Sequence, residues 1–199
     1  MIRGLYVIVD NADLAQKCLQ GGARIIQLRQ KNQNQKVEAF RIADLKKKVD
    51  FIFILNDDPH LVLETGADGV HLGQGDMPII DARKLLGKNK IIGKSTHSVE
   101  EALIAQSEPT DYIACGAIFP TAAKGPEHPV IGLEGLRAIR KVVGKPLVAI
   151  GGINRSNVSQ VIAAGADAIA MISALRENTG PEVSFYRGLF PLESLANTR

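Results

Sequence analysis

Two aspartates at neighbouring strand ends are the residues of this chain best placed to do chemistry. Asp57 lies in NDDP (56–59), directly after an apolar run over 51–55 that reads as a buried strand. Asp76 lies in GQGDMP (73–78), directly after a second strand over 69–72. A short helix over 59–65 separates them, so the unit reads β-α-β and the two strands run parallel. Both carboxylates then emerge at one sheet edge, beyond the carboxyl ends of the strands, where parallel α/β folds place their chemistry. No histidine or cysteine cluster accompanies them. Such a pair suits a hard divalent cation, Mg²⁺, held together with a phosphorylated substrate. Asp58 is better placed to cap the helix that follows. Capping does not account for Asn56 or Asp57, which stay candidates, and Asp76 taken alone also fits a residue that shapes the turn before Pro78.

Other strand ends carry complementary groups. In QLRQK (27–31) strand alternation points Gln27, Arg29 and Lys31 to one side. Two cations there would bind a phosphate-rich group; a basic strand end on the surface is the plain alternative. Ser95 ends the fifth strand and can donate a hydrogen bond to a ligand, whereas His97 reads as structural. His71, inside the fourth strand, reads as a buried, hydrogen-bonded core histidine; His60 and His128 have no evident partner. The longest loop, 116–131, begins near FPTAAK (119–124), and Lys124 can act as a third cation. After the seventh strand come Gly151 and Gly152, and after the eighth comes Ser173. Loops in those two positions commonly bind phosphate through backbone N–H groups, and glycine lets the backbone approach an anion. The mouth thus offers a neutral phosphate cradle on one side, and cations with paired carboxylates on the other. Two phosphorylated ligands are implied, one with a single phosphate and one with a pyrophosphate-like group that needs Mg²⁺.

The elements that must position these groups alternate along the whole chain. Strands are expected over 5–9, 24–28, 51–55, 69–72, 90–94, 111–115, 146–150 and 168–172. Helices are expected over 13–20, 37–49, 59–65, 78–86, from 98, over 133–143, 157–164 and 181–189. Ser98 with Glu101 fits a capping box, and Pro78 fits a helix first turn. Eight such pairs predict an α/β fold, a single compact (β/α)8 TIM barrel over 1–199. A repeat supports the count: Gly22-Ala23-Arg24, Gly66-Ala67-Asp68 and Gly165-Ala166-Asp167 each precede a strand, with glycine closing the preceding helix in a left-handed conformation. A doubly wound sheet would need fewer strands and a glycine-rich loop after the first, where Asp10, Asn11 and Ala12 stand instead.

Composition narrows the function classes. A net charge of +3, spread along the chain, does not argue for nucleic acid, and Lys46 to Lys48 read as a solvated helix face. No apolar run reaches the ~18 residues of a membrane helix. The chain enters a strand at once, so no signal peptide is expected. Cys18 and Cys115 form no metal or redox spacing and read as small apolar residues of a reducing, cytoplasmic protein.

Seven segments together resemble the thiamine-phosphate synthase family: QLRQK (27–31), ND (56–57), GADGVHLGQGDMP (66–78), IGKSTHSVEEA (92–102), FPTAAK (119–124), AIGGIN (149–154) and MIS (171–173). The resemblance implies a transferase of thiamine biosynthesis. It would join 4-amino-2-methyl-5-hydroxymethylpyrimidine diphosphate to a (carboxyethyl)thiazole phosphate, giving thiamine phosphate and pyrophosphate. Carried over by position, Gln27, Arg29, Lys31, Asn56 and Lys124 would hold the pyrimidine diphosphate, and Asp57 and Asp76 would hold Mg²⁺. Ser95 would contact the pyrimidine-side substrate, and Thr121, Gly152, Ile172 and Ser173 would bind the thiazole phosphate. Arg29, Lys31 and Lys124 would be catalytic, stabilising the departing pyrophosphate. The chain departs from the pattern at Ala123, where the family often has a hydroxyl residue, and in a short segment between Lys31 and Asn56. The resemblance implies partners that are small phosphorylated molecules, with no nucleic acid and no membrane, and leaves a homo-oligomer open. A thiazole tautomerase on the same barrel would be expected to carry a histidine in the loop after the sixth strand, which opens Gly116, Ala117, Ile118, Phe119. A non-catalytic sensor of phosphorylated ligands is the reading from a different class; Mg²⁺ dependence separates it from the synthase.

Overall fold

Side-chain alternation along eight short strands decides how the chain closes. The structure is a computed structural model that describes residues 2–30, 34–121, 129–172, 175 and 178–190. Its strands are β1 (Gly4–Val9), β2 (Ile25–Leu28), β3 (Ile52–Asn56), β4 (Gly69–Leu72), β5 (Ile91–Thr96), β6 (Tyr112–Cys115), β7 (Leu147–Ile150) and β8 (Ala168–Met171). Each pairs in parallel with the next, and β8 pairs with β1, so the sheet is a closed barrel. The helices are α1 (Ala12–Gln20), α2 (Gln35–Leu45), α3 (Pro59–Thr65), α4 (Ile79–Leu86), α5 (Val99–Ser107), α6 (Gly132–Val142), α7 (Val158–Ala163) and α8 (Thr179–Gly188).

Closure splits the apolar residues into two cores. Leu5, Val7 and Val9 of β1 face outward and pack with helix residues such as Ala15, Cys18 and Val183. Tyr6 and Ile8 of the same strand face inward and meet Ile25, Ile54, Tyr112, Val148 and Ala170 inside the barrel. A strand buried on both faces has little polar alternation to show, which is why these runs read as continuously apolar. No helix among the described residues is long and apolar enough to cross a membrane.

Local chemistry ends the helices much as the sequence implies. Asn11, Asp58 and Ser98 cap α1, α3 and α5, accepting from Leu14, Leu61 and Glu101 N–H at 2.8, 3.0 and 3.2 Å. The expected capping box at α5 is only half formed. The Glu101 carboxylate accepts from the His97 N–H at 2.8 Å and pairs with its ring, rather than returning to Ser98. Helix α2 stops at Leu45, short of the expected 49, and residues 46–48 close tight turns instead. Lys46 is therefore not on a solvated helix face: half-buried, it pairs with Asp68.

The Gly-Ala repeat is borne out, with φ of 96°, 72° and 105° at Gly22, Gly66 and Gly165. Aspartates just before β4, β6 and β8, two of them directly after the repeat, build the lower rim. Asp68 accepts from Phe53 N at 2.7 Å, Asp111 from Ile92 N at 2.7 Å and Asp167 from Leu147 N at 2.9 Å. Each of these carboxylates also meets a cation at or just beyond the end of an even-numbered helix: Lys46, Arg83 or Arg140. Each clamp thus joins two strands and one helix at the amino ends of the strands.

Candidate functional site

A cavity of about 340 Å³ opens at the carboxyl ends of the strands, within the usual size range of a small-molecule site. Its floor is the inner face of the barrel, with Tyr6, Ile8, Tyr112, Ala114, Val148 and Ala170. Its walls are strand ends and the loops after them. Gln27, Arg29, Asn56, Asp57, Asp76, Ser95, Thr121, Gly152 and Ile172 all line it. Lys31, Lys124 and Ser173 lie outside the described residues.

The polar wall is ordered by its own hydrogen bonds. Buried Gln27 donates from Nε2 to Asn56 Oδ1 at 3.3 Å, and Gln35 of α2 donates to the Asn56 carbonyl at 3.1 Å. The next residue, Asp57, has φ of 66°, the left-handed region that a side chain rarely adopts and aspartate tolerates better than most. Its N–H donates to the His71 carbonyl at 2.9 Å, so β4 holds the turn that presents it. Strained positions of this kind gather at functional sites. Asp76 accepts from Gly73 N at 2.6 Å, the turn-shaping role, while also lining the cavity. Lys94, buried on the outer face of β5, donates to the Gly73 carbonyl at 2.8 Å and fixes the same loop. Among the described residues no three histidine, cysteine, aspartate or glutamate side chains gather as a metal site. A cation here would rest on Asp57 and Asp76 with oxygens from ligand and water, a hard donor set that fits Mg²⁺ and suits a softer metal poorly.

The opposite wall is made by β7 and the loop after β6. Ile118 and Phe119 donate to the Ile150 and Gly151 carbonyls at 2.9 and 3.0 Å. Gly151 and Gly152 have φ of 103° and 63°. A Cβ on Gly151 would stand 2.7 Å from Ala117 Cβ, and one on Gly152 would stand 2.6 Å from the Pro120 carbonyl oxygen. Glycine is thus required here to seat the neighbouring loop, a reason not visible in the sequence.

His71 is the main correction. It is half-buried rather than sealed in the core, and it lines the cavity. Its Nε2 lies 2.8 Å from Ser95 Oγ and its Nδ1 lies 2.9 Å from Tyr112 Oη, which lies 2.8 Å from Tyr6 Oη. Burial pushes both phenols above their ordinary pKa, so both remain protonated. Sequence reasoning did not single out Tyr6 or Tyr112 at all. The available signal was inward alternation: Tyr6 with Ile8, and Tyr112 with Ala114.

Comparison with known proteins identifies the family. The family described as thiamine monophosphate synthase matches residues 5–175. The thiamine-phosphate synthase of Moorella thermoacetica is 47% identical over 182 residues, 86% of this chain and 87% of that protein. The thiamine biosynthesis bifunctional protein ThiED of Geobacter sulfurreducens is 44% identical over 191 residues; they cover 92% of this chain but only 39% of that longer protein. The solved thiamine phosphate pyrophosphorylase of Pyrococcus furiosus superposes with a TM-score of 0.85 at 39% identity, covering 94% of both chains. Barrel, cavity and sequence similarity over most of its length converge on one conclusion: this chain belongs to the thiamine monophosphate synthase family.

Proposed function

We propose that this chain condenses 4-amino-2-methyl-5-hydroxymethylpyrimidine diphosphate with a (carboxyethyl)thiazole phosphate, forming thiamine phosphate and releasing pyrophosphate, with the thiazole carboxyl leaving as CO2. One observation carries the reading: every described residue of the implied ligand set lines a single cavity, with Arg29, Asp57 and Asp76 in the same mouth as Gly152 and Ile172. The pyrimidine diphosphate would lie along Gln27, Arg29 and Asn56, joined by Lys31 and Lys124. The thiazole phosphate would lie against Thr121, Gly152, Ile172 and Ser173.

The reaction breaks the bond between the pyrimidine methylene carbon and the diphosphate oxygen, and that oxygen keeps the electron pair. The resonance-stabilised pyrimidinylmethyl cation is then captured by the lone pair of the thiazole nitrogen, and the thiazole carboxyl leaves as CO2, its bonding pair staying on the ring carbon, which takes a proton from solvent. No protein nucleophile is needed. Asp57 and Asp76 would hold Mg²⁺, which when bound neutralises charge on the leaving pyrophosphate. Arg29, Lys31 and Lys124 would supply fixed positive charge where negative charge develops. Ile8, Val148 and Ala170 put apolar surface on the floor, which would offer no hydrogen bond to water that competes for the cation.

The test mixes purified protein with both substrates, in Mg²⁺ or in EDTA, and reads thiamine phosphate as fluorescent thiochrome. Product in Mg²⁺ and none in EDTA is expected. Equal product in EDTA would remove the metal role, and no product from folded protein would remove the synthase reading.

A further inference from the structure

A row of aromatic and polar side chains inside the barrel does more than fill it. By strand register Asn56, His71, Gly93 and Tyr112 stand side by side across β3 to β6, with Ser95 one inward position further up β5. Gly93 is a glycine for a steric reason: a Cβ there would stand 2.0 Å from Tyr112 Cζ. The Tyr112 ring occupies that space and stacks on His71, at 5.5 Å between centroids and 25° between planes. The Tyr6, Tyr112, His71 and Ser95 contacts therefore form one chain from the floor to the mouth.

That chain can be polarised in two ways. If Ser95 donates to Nε2, then Nδ1–H donates to Tyr112, Tyr112 donates to Tyr6, and the Tyr6 proton is left over. If Tyr6 donates to Tyr112, then Tyr112 donates to Nδ1, Nε2–H donates to Ser95, and the Ser95 proton is left over. Among the described residues Tyr6 Oη has a single partner, Tyr112, and it sits in the apolar cluster with Ile8, Ile25 and Ile54. A buried O–H without an acceptor costs more than an unfilled lone pair. The second polarity leaves no buried donor unmatched, because Ser95 lines the open cavity and its proton meets whatever binds there.

We propose that Tyr6, Tyr112 and His71 are positioning residues that hold His71 as the neutral Nε2–H tautomer. In that state the Ser95 hydroxyl is a hydrogen-bond donor to an acceptor atom of the pyrimidine-side substrate, a ring nitrogen or a diphosphate oxygen. This rests on the synthase reading above for the identity of the ligand, though not for the direction of the chain. Ser95 would then favour ligands with an acceptor at this point and disfavour those presenting an N–H.

Two readouts test it. The first needs no activity: side-chain ¹H–¹⁵N spectra of histidine-labelled protein at about pH 8, well above the ordinary histidine pKa. His71 is assigned by replacing His60, His97 and His128 one at a time with Gln. A proton on Nε2 is expected, and a proton on Nδ1 or on both nitrogens overturns the proposal. The second is a double-mutant cycle in the thiochrome assay, with folding checked by thermal unfolding. Tyr112→Phe should lower kcat about fivefold, the effect of one neutral hydrogen bond. In a Ser95→Ala background it should lower kcat no further. An equal effect in both backgrounds would mean that Tyr112 does not act through Ser95. If wild-type protein makes no product, the synthase reading falls, while the tautomer still decides the polarity of the chain.

Discussion

The two rims of the barrel use the same residue types to different ends. At the lower rim Asp68, Asp111 and Asp167 each take a backbone N–H from the adjacent strand and pair with a cation in the last turn of a helix or just past it. At the upper rim Asp57 and Asp76 are fixed through backbone hydrogen bonds in their turns, and both line the cavity. A carboxylate matched to its own strand and helix holds elements together. A carboxylate at the edge of the cavity borders the space a ligand would enter. Where a charged residue stands along its strand, rather than what it is, separates stability from chemistry in this fold.

The sharpest way to break that contrast is at the upper rim. Arg29→Ala should lower turnover by about 10²–10³-fold, as loss of one group stabilising developing negative charge does. Its thermal unfolding should stay near wild type. Lys124→Ala should behave alike, and near-normal turnover in either variant would remove the leaving-group role. A smaller change is expected when a carboxylate loses only its charge. Asp57→Asn and Asp76→Asn should raise the Mg²⁺ concentration needed for half-maximal activity, read by titration in the same assay. An unchanged titration would place the cation elsewhere.

How much of this was legible in the sequence follows from the range of each signal. Local signals read well: the Asp58 and Ser98 caps, the three Gly-Ala turns and the strand-helix alternation all depend on residues a few positions apart. Asp57 and Asp76 were legible because one β-α-β unit places both at the same edge. His71 was misread because strand alternation tells inside from outside but not depth. The inner face of a barrel is core at one level and cavity wall two residues higher. Tyr6 and Tyr112 are separated by 106 positions, so nothing near either announces the other. Gly151 and Gly152 were legible as permissive backbone, yet the neighbours that demand glycine, Ala117 and Pro120, come from another loop. Lys46 was assigned to a helix that stops one residue earlier, and its partner Asp68 lies beyond the next strand and helix.

The lower rim should respond in the opposite sense. Asp111→Ala removes the acceptor for the N–H of fully buried Ile92 and the partner of Arg83. It should cost about 1–3 kcal/mol of stability, most of it from the unmatched donor. Asp111→Asn keeps an oxygen for Ile92 and loses only a partly exposed ion pair, so it should cost about 1 kcal/mol or less. Denaturant unfolding separates the two. Neither should alter kcat, and a large fall in turnover at full folding would show that the rims are coupled.

The smallest effect comes from the quarter of the rim that lacks a clamp. Extending the register by one residue, Arg24 just before β2 stands to Leu5 as Asp68 stands to Phe53, Asp111 to Ile92 and Asp167 to Leu147. The cation of that quarter is present: Arg187 of α8 lies over Gly22, as Arg140 lies over Gly165, at 3.2 and 2.6 Å from the Cβ that each glycine lacks. The carboxylate is missing, and an exposed arginine, bonded to the Ala23 carbonyl at 3.0 Å, takes its place. Arg24→Asp should therefore complete the ring with an acceptor toward Leu5 and a partner for Arg187. The pair would be exposed, so the gain should be about 0.2–1 kcal/mol, a rise in Tm of at most about 2–4 °C for a chain of this size, with turnover unchanged. A fall in Tm would mean that β1, the strand where the barrel closes on itself, holds its amino end by other means than the three clamped quarters.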